Sequence, residues 1–111
     1  MKEIKAYVHR NRIGDVISAL KSTAAWSVAG NGAHNLTVYM VKGSLVPLDD
    51  DERHYSLDLG DEVVNEYKLE LHCEDAHVED LVDAIRSAGH TGQPNSGWIY
   101  VADIASTVEI Q

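Results

Sequence analysis

Tyr67-Lys68-Leu69-Glu70-Leu71-His72-Cys73, followed by Asp75 and then by Val78, Leu81, Val82 and Ile85, is the stretch that decides the fold. Tyr67, Leu69, Leu71 and Cys73 alternate with Lys68, Glu70 and His72, a period of two that predicts a strand with one buried face. The apolar residues after Asp75 are spaced i, i+3, i+4, i+7 instead, which is one stripe of a helix. Asp75 is a good N-cap for that helix. Gly89 can end it in the left-handed conformation.

The same pair of patterns opens the chain. Ile4, Ala6 and Val8 alternate with Lys5, Tyr7 and His9. Asn11 can cap a helix striped by Ile13, Val16, Ile17 and Leu20. Each helix is followed by a loop and another strand. Gly30, Asn31 and Gly32 punctuate the first loop. Leu36, Val38 and Met40 then alternate with Thr37, Tyr39 and Val41 as far as Lys42-Gly43. The second loop, Thr91 to Gly97, leads to a strand from Trp98 to Ala102, with Ile99 and Val101 on the face opposite Trp98 and Tyr100. The two halves echo each other as βαβ and βαβ. Two such units predict an α+β fold of the ferredoxin-like βαββαβ type. Its four-stranded antiparallel sheet carries two helices on one face. The uncovered face would carry Tyr7, Tyr39 and Tyr100, and an aromatic uncovered face predicts burial against another subunit.

Between the halves, residues 43 to 61 satisfy neither period. Pro47 is followed by Asp49, Asp50, Asp51 and Glu52, then by Arg53 and His54. Four adjacent carboxylates repel each other, so this segment reads as a long solvated loop. A loop of that length in so small a domain is functional or mobile rather than filler.

The chain has 111 residues, and we read it as one domain, 1–111. Nine basic against 18 acidic residues leave a net charge of −9. That balance argues against a nucleic-acid binder and against docking on anionic lipid. The longest apolar stretch, Ala24 to Gly30, is far short of the ~18 residues of a membrane span, so no direct membrane insertion is expected. Met1 to Lys5 contain no apolar signal core. One cysteine, Cys73, excludes an intrachain disulfide and fits a reducing, cytoplasmic setting. Its place in the alternation predicts a core position.

No nucleophile elbow, Walker loop or dinucleotide fingerprint occurs, so no enzyme is expected. The six histidines show no zinc spacing and read as solvated or interface residues, with no metal ligand assigned. A metal site shared between subunits is left open, because one chain does not display it. The acids from Asp49 to Glu52 with His54 lack the spacing of a calcium loop and read as a solvated charge run. Gly92 to Gly97 fits either a helix-to-strand turn or a ligand loop. Trp98 fits either a buried or interface position, or a surface for a purine to stack on.

The order of these segments resembles the PII signalling family over nearly the whole chain. Met1-Lys2-Glu3-Ile4 and the helix from Arg12 to Leu20 look like its first strand and helix. Leu36-Thr37-Val38 and Val41-Lys42-Gly43 look like the strand entering its T-loop, and Lys68-Leu69-Glu70-Leu71 like the strand after it. Thr91-Gly92 through Gly97 and Ile99-Tyr100-Val101 look like its B-loop and last strand. The resemblance implies a homotrimer that binds a small effector, an adenine nucleotide, in clefts between subunits. Through the T-loop it would regulate a membrane transporter or that transporter's cytoplasmic domain. It further implies that Thr37 faces the adenine, that His72 lies where backbone groups meet the adenine edge, and that Gly43 sits at the T-loop base. Thr91, Gly92 and Gly97 would belong to the phosphate loop, with Trp98 at its end. Asp49, Asp50, Asp51, Glu52 and Arg53 would lie in the partner-binding loop, which the ligand would order.

The departures from that family refine the expectation. Asn95-Ser96-Gly97-Trp98 replaces the usual Gly-Asp-Gly-Lys run, so a tryptophan stands where a lysine would meet phosphate. Glu109 and Gln111 stand in the places of two arginines. A charge-assisted contact is worth roughly 1.5–3 kcal/mol, so a triphosphate would lose most. We therefore expect AMP or ADP rather than ATP, with bicarbonate as a further candidate. Val63 and Asp61 replace the tyrosine and serine that carry the family's covalent switches. The alternative is a metal-responsive trimer resembling the CutA type, using histidines and linked to metal-ion transport or tolerance.

Overall fold

The computed structural model describes residues 1–27 and 34–111. The loop assigned to Gly30–Gly32 lies outside the described residues. Strand β1 (Lys2–His9), helix α1 (Ile13–Lys21), β2 (His34–Gly43), β3 (Arg53–Ser56), β4 (Asp61–Cys73), α2 (Val78–Ala88) and β5 (Trp98–Asp103) follow in that order. The main sheet runs β2-β4-β1-β5 with every pair antiparallel. This is the ferredoxin-like α+β arrangement that the two echoing halves predict.

The alternating residues of β1 and β4 fall where their periods put them, whereas Val38 and Met40 of β2 and Val101 of β5 are exposed. Ile4, Ala6 and Val8 of β1 and Leu69, Leu71 and Cys73 of β4 are buried against Val16 and Leu20 of α1 and Leu81 and Ile85 of α2. Fully burying one Leu or Ile is worth roughly 1.5–3 kcal/mol, against about 1 kcal/mol for a side-chain cap. Packing therefore holds these helices, and neither has a capping side chain.

Three local expectations are corrected. Asn11 does not cap α1; its backbone N–H donates to His9 Nδ1 (3.1 Å), and Arg12 occupies the cap position. Asp75 does not cap α2. It begins a single 3₁₀ turn, Asp75–His77, and its carboxylate accepts from the N-terminal ammonium at 2.9 Å. That hydrogen bond, the leading cause, holds the Asp75 carboxyl below its ordinary value. Gly89 ends α2 in a right-handed conformation, φ −84°. Its lack of a side chain serves a close approach instead, since a Cβ there would lie 2.9 Å from the Ile85 carbonyl oxygen.

The segment from 43 to 61 is also more structured than a solvated loop. β4 begins at Asp61, six residues before Tyr67, and β3 pairs with it from Arg53↔Val64 to Ser56↔Asp61. The sheet thus gains a short fifth strand. Val64 faces both Gly43 and Arg53, so β2 and β3 flank β4 on opposite sides. β3 takes up the edge that β1 leaves at His9↔Glu66. Leu45, Pro47, Ser56, Val63 and Val64 are buried. A four-residue strand is too short to show a period, which is why the alternation is not visible there.

The helix-free face carries the expected aromatic residues. Tyr7 and Tyr100 meet edge to face with ring centroids 6.1 Å apart. Lys68 Nζ lies 5.6 Å from the Tyr7 ring and 5.3 Å from the Tyr39 ring, within cation–π range. Tyr39 O–H donates to Glu70 (2.8 Å), and Lys68 Nζ lies 3.1 Å from the same carboxylate. The Tyr39 hydroxyl first, and Glu70 second, hold the Lys68 ammonium above its ordinary value. The same hydroxyl, followed by Lys68, holds Glu70 below its own.

Candidate functional site

Two cavities lie on either side of Tyr7, Asn95 and Trp98. The larger, about 580 Å³, sits between the end of α2 and the loop from His90 to Gly97. The other, about 480 Å³, sits between that loop and the base of the 43–61 segment.

The 91–97 loop is internally bonded. Gly92 (φ +83°) and Asn95 (φ +61°) adopt the left-handed conformation that glycine and asparagine tolerate best. Between them the chain folds back on itself. Buried Ser96 donates to the Gln93 carbonyl (2.7 Å) and meets the Thr91 hydroxyl, which accepts from Gln93 N–H (3.2 Å). Arg12 Nε ties the preceding His90 carbonyl to α1 at 3.0 Å. Trp98 follows half-exposed, at 51%, so the buried reading of this tryptophan falls and its indole lines both cavities.

The base of the 43–61 segment is tied to this loop and to β4. Val46 N–H donates to the Asn95 carbonyl at 2.9 Å. Leu45 N–H donates to Glu66 Oε2 at 3.2 Å. Glu66, only 5% exposed, lies over Gly43 so closely that a Cβ at Gly43 would be 2.1 Å from Oε1. Burial pushes the Glu66 carboxyl up from its ordinary value, opposed by the Leu45 N–H.

Gly43, Thr91, Gly92, Gly97 and Trp98 are thus gathered at one end of the sheet. Thr37 and His72 are not with them. Thr37 of β2 pairs with Glu70 of β4, and His72 of β4 pairs with Glu3 of β1, whereas Trp98 pairs with Tyr7. Along β1 the His72 row lies four residues from the Trp98 row, about 13 Å, and the Thr37 row, which reaches β1 at Lys5, lies two residues from it, about 7 Å, with Thr37 itself on the opposite edge strand. One chain does not assemble all seven residues.

The acidic run divides. Asp49 and Asp51 are exposed, as is Arg53. The Glu52 side chain is turned inward, 5% exposed, and its Oε2 lies 2.7 Å from His9 Nε2 and 3.5 Å from Arg10 Nε. The His9 contact is short without the alignment of a hydrogen bond. Since Nδ1 accepts from Asn11, the ring proton sits on Nε2, facing Glu52. Two expectations are corrected here: Glu52 does not belong to a solvated run, and His9, 1% exposed, is neither solvated nor at a surface. Cys73 is core, and burial raises its thiol. Among the described residues, no three of His, Cys, Asp and Glu gather as a metal site would require.

Sequence reasoning missed Glu66, Asn95 and Ser96. Glu66 continues the polar alternation of Lys68, Glu70 and His72, so it looked like another outward residue. Gly43, the strand-end glycine that makes room for it, is its only trace in the sequence.

A family model described as Nitrogen regulatory protein P-II matches residues 1–111. A protein of that name from Azospirillum brasilense is 30% identical over 115 residues, covering 100% of this chain and 92% of the relative. Nitrogen regulatory protein P-II 1 of Methanothermobacter thermautotrophicus is 28% identical over 111 residues, covering 100% and 90%. A P-II protein of Pyropia yezoensis is 25% identical over 111 residues, covering 100% and 92%. No helix among the described residues is long and apolar enough to cross a membrane.

Proposed function

We propose, on the ground that this chain belongs to the nitrogen regulatory protein P-II family, that it is a cytoplasmic trimeric sensor. It binds an adenine nucleotide with few phosphates and reports occupancy through residues 43–61 to a membrane transporter or that transporter's cytoplasmic domain. The observation that carries this reading is the 2.9 Å bond from Val46 N–H to the Asn95 carbonyl. It joins the partner-facing segment to the loop that lines both cavities. A ligand that prefers one position of the 91–97 loop biases the position of the segment by its differential affinity.

A second copy supplies Thr37, which one chain holds on the opposite edge strand, and His72, which it holds four residues away along the strand. The exposed aromatic face of Tyr39 and Tyr100 supports that assembly. Phosphates add little, because Arg86 is the one Lys or Arg lining the larger cavity among the described residues, and it is engaged with Asp83 at 2.8 Å. The exposed Asp49 and Asp51 favour a basic partner surface, so added salt weakens the complex.

The test is calorimetry with AMP, ADP and ATP on the assembled protein, read together with amide exchange at Val46. We expect ATP to bind no better than ADP, and nucleotide to alter exchange at Val46. A clear triphosphate preference would overturn the phosphate argument. Binding that leaves Val46 unchanged would overturn the coupling.

A further inference from the structure

We infer that the cavity at the base of the 43–61 segment is a site for a small organic ammonium ion, separate from any nucleotide. Its lining combines three aromatic residues (Tyr7, Trp98 and Tyr100) with the Ser44 hydroxyl, the Asn95 amide and Glu66. Glu66 is the one charged residue of that lining. A carboxylate offers about four acceptor positions. Glu66, 5% exposed, uses one of them, for Leu45 N–H on Oε2. A carboxylate largely removed from water keeps its charge at neutral pH more readily with a counter-charge or further donors.

Within the described residues that counter-charge is spent elsewhere. Lys68, the next residue on the same face of β4, is drawn to Glu70 and lies between the rings of Tyr7 and Tyr39. Arg10 turns to Glu52. A hard metal ion takes 6–8 oxygen ligands, and one carboxylate among aromatic walls does not provide them. An alkylammonium ion suits both parts of the lining. Its charge meets Glu66 Oε1, and its methyl or methylene groups lie against ring faces, where cation–π attraction operates. An anionic phosphate would instead meet a like charge. The cavity's volume of about 480 Å³ is ample for such an ion.

The bound cation would also fix the loop base. It favours the ionised form of Glu66, and an ionised carboxylate is the stronger acceptor for Leu45 N–H. Gly43 keeps the carboxylate in place by leaving the space that any side chain would fill.

The test uses the full chain without nucleotide. Choline and methylammonium are titrated by calorimetry and by Trp98 fluorescence in a Trp26→Phe background. The uncharged carbon isostere of choline is the control. Choline should bind and shift the Trp98 emission, and the isostere should do neither. Glu66→Gln keeps an oxygen for Leu45 N–H and removes the charge, so choline affinity should fall at least about tenfold. Its melting temperature should not fall, because a buried charge has been removed. Trp98→Leu, at a half-exposed position, should weaken choline several-fold and serves if the glutamine variant misfolds. Equal choline affinity in wild type and Glu66→Gln overturns the inference. So does an isostere that binds as tightly as choline, or silence with both ammonium ions. Nucleotide binding without choline binding removes this site alone; the reverse removes the nucleotide reading alone.

Discussion

Gly43 and Glu66 act as one unit, and each makes sense only with the other. A methyl group at Gly43 would overlap the carboxylate, so Gly43→Ala should expel Glu66 and break its bond to Leu45. Urea unfolding should show a loss of roughly 1–3 kcal/mol, the usual scale of overpacking. The pH response has a definite sign. Burial raises the Glu66 pKa in the folded state above its ordinary value of 4.5. The folded protein therefore binds that proton more tightly, and the ionised residue costs stability at higher pH. Glu66→Gln should gain most over wild type above the raised pKa. The gap should narrow as pH falls through it and close below 4.5. A gap that widens on acidification would contradict this account. None of it was legible in the sequence, where Glu66 sits in register with three outward polar residues. What hides it is the neighbouring segment, which returns over that end of the sheet through contacts remote in the chain.

The legible elements were those long enough to show a period. β1, the second half of β4 and both helices follow directly from their stripes, because their burial is one-sided and repeats. β3 was not legible: it has four residues, follows an acidic run and pairs only at the sheet's end. Its anchor is Glu52 against His9, a buried contact between residues 43 positions apart in the chain. Glu52→Ala removes this buried contact and opens space beside His9, at a cost of about 1–3 kcal/mol. Amide exchange should then lose protection in Arg53–Ser56 and keep it in Ile4–Val8. Equal loss in both places would mean that Glu52 supports the core rather than the hairpin.

The molecule as a whole presents one face that water covers poorly. Tyr39 and Tyr100 remain more than a third exposed around Lys68 and Glu70. Light scattering should give three times the 12.2 kDa chain mass. Tyr100→Asp, which places a charge on that face along its edge strand, should shift the mass toward one chain on dilution. A wild-type monomer at micromolar concentration would remove the shared cleft. That such a face exists was legible, since Tyr7, Tyr39 and Tyr100 alternate with apolar residues in the sequence. That Lys68 lies over two of those rings was not, because it depends on cross-strand register rather than on any pattern within one strand.

β4 is unbroken from Asp61 to Cys73, so the hairpin is a stiff lever with its fulcrum beside Glu66. Its outer end holds Leu57 and Leu59, both exposed. From Glu66 to Gly60 the arm is about 20 Å long, and a tilt of about 10° at the fulcrum would sweep the tip through about 3.5 Å. A partner gripping the two leucines would register angle, with no need for the arm to melt. Lengthening the arm by a pair of residues on each strand should therefore amplify the displacement while leaving the fulcrum unchanged.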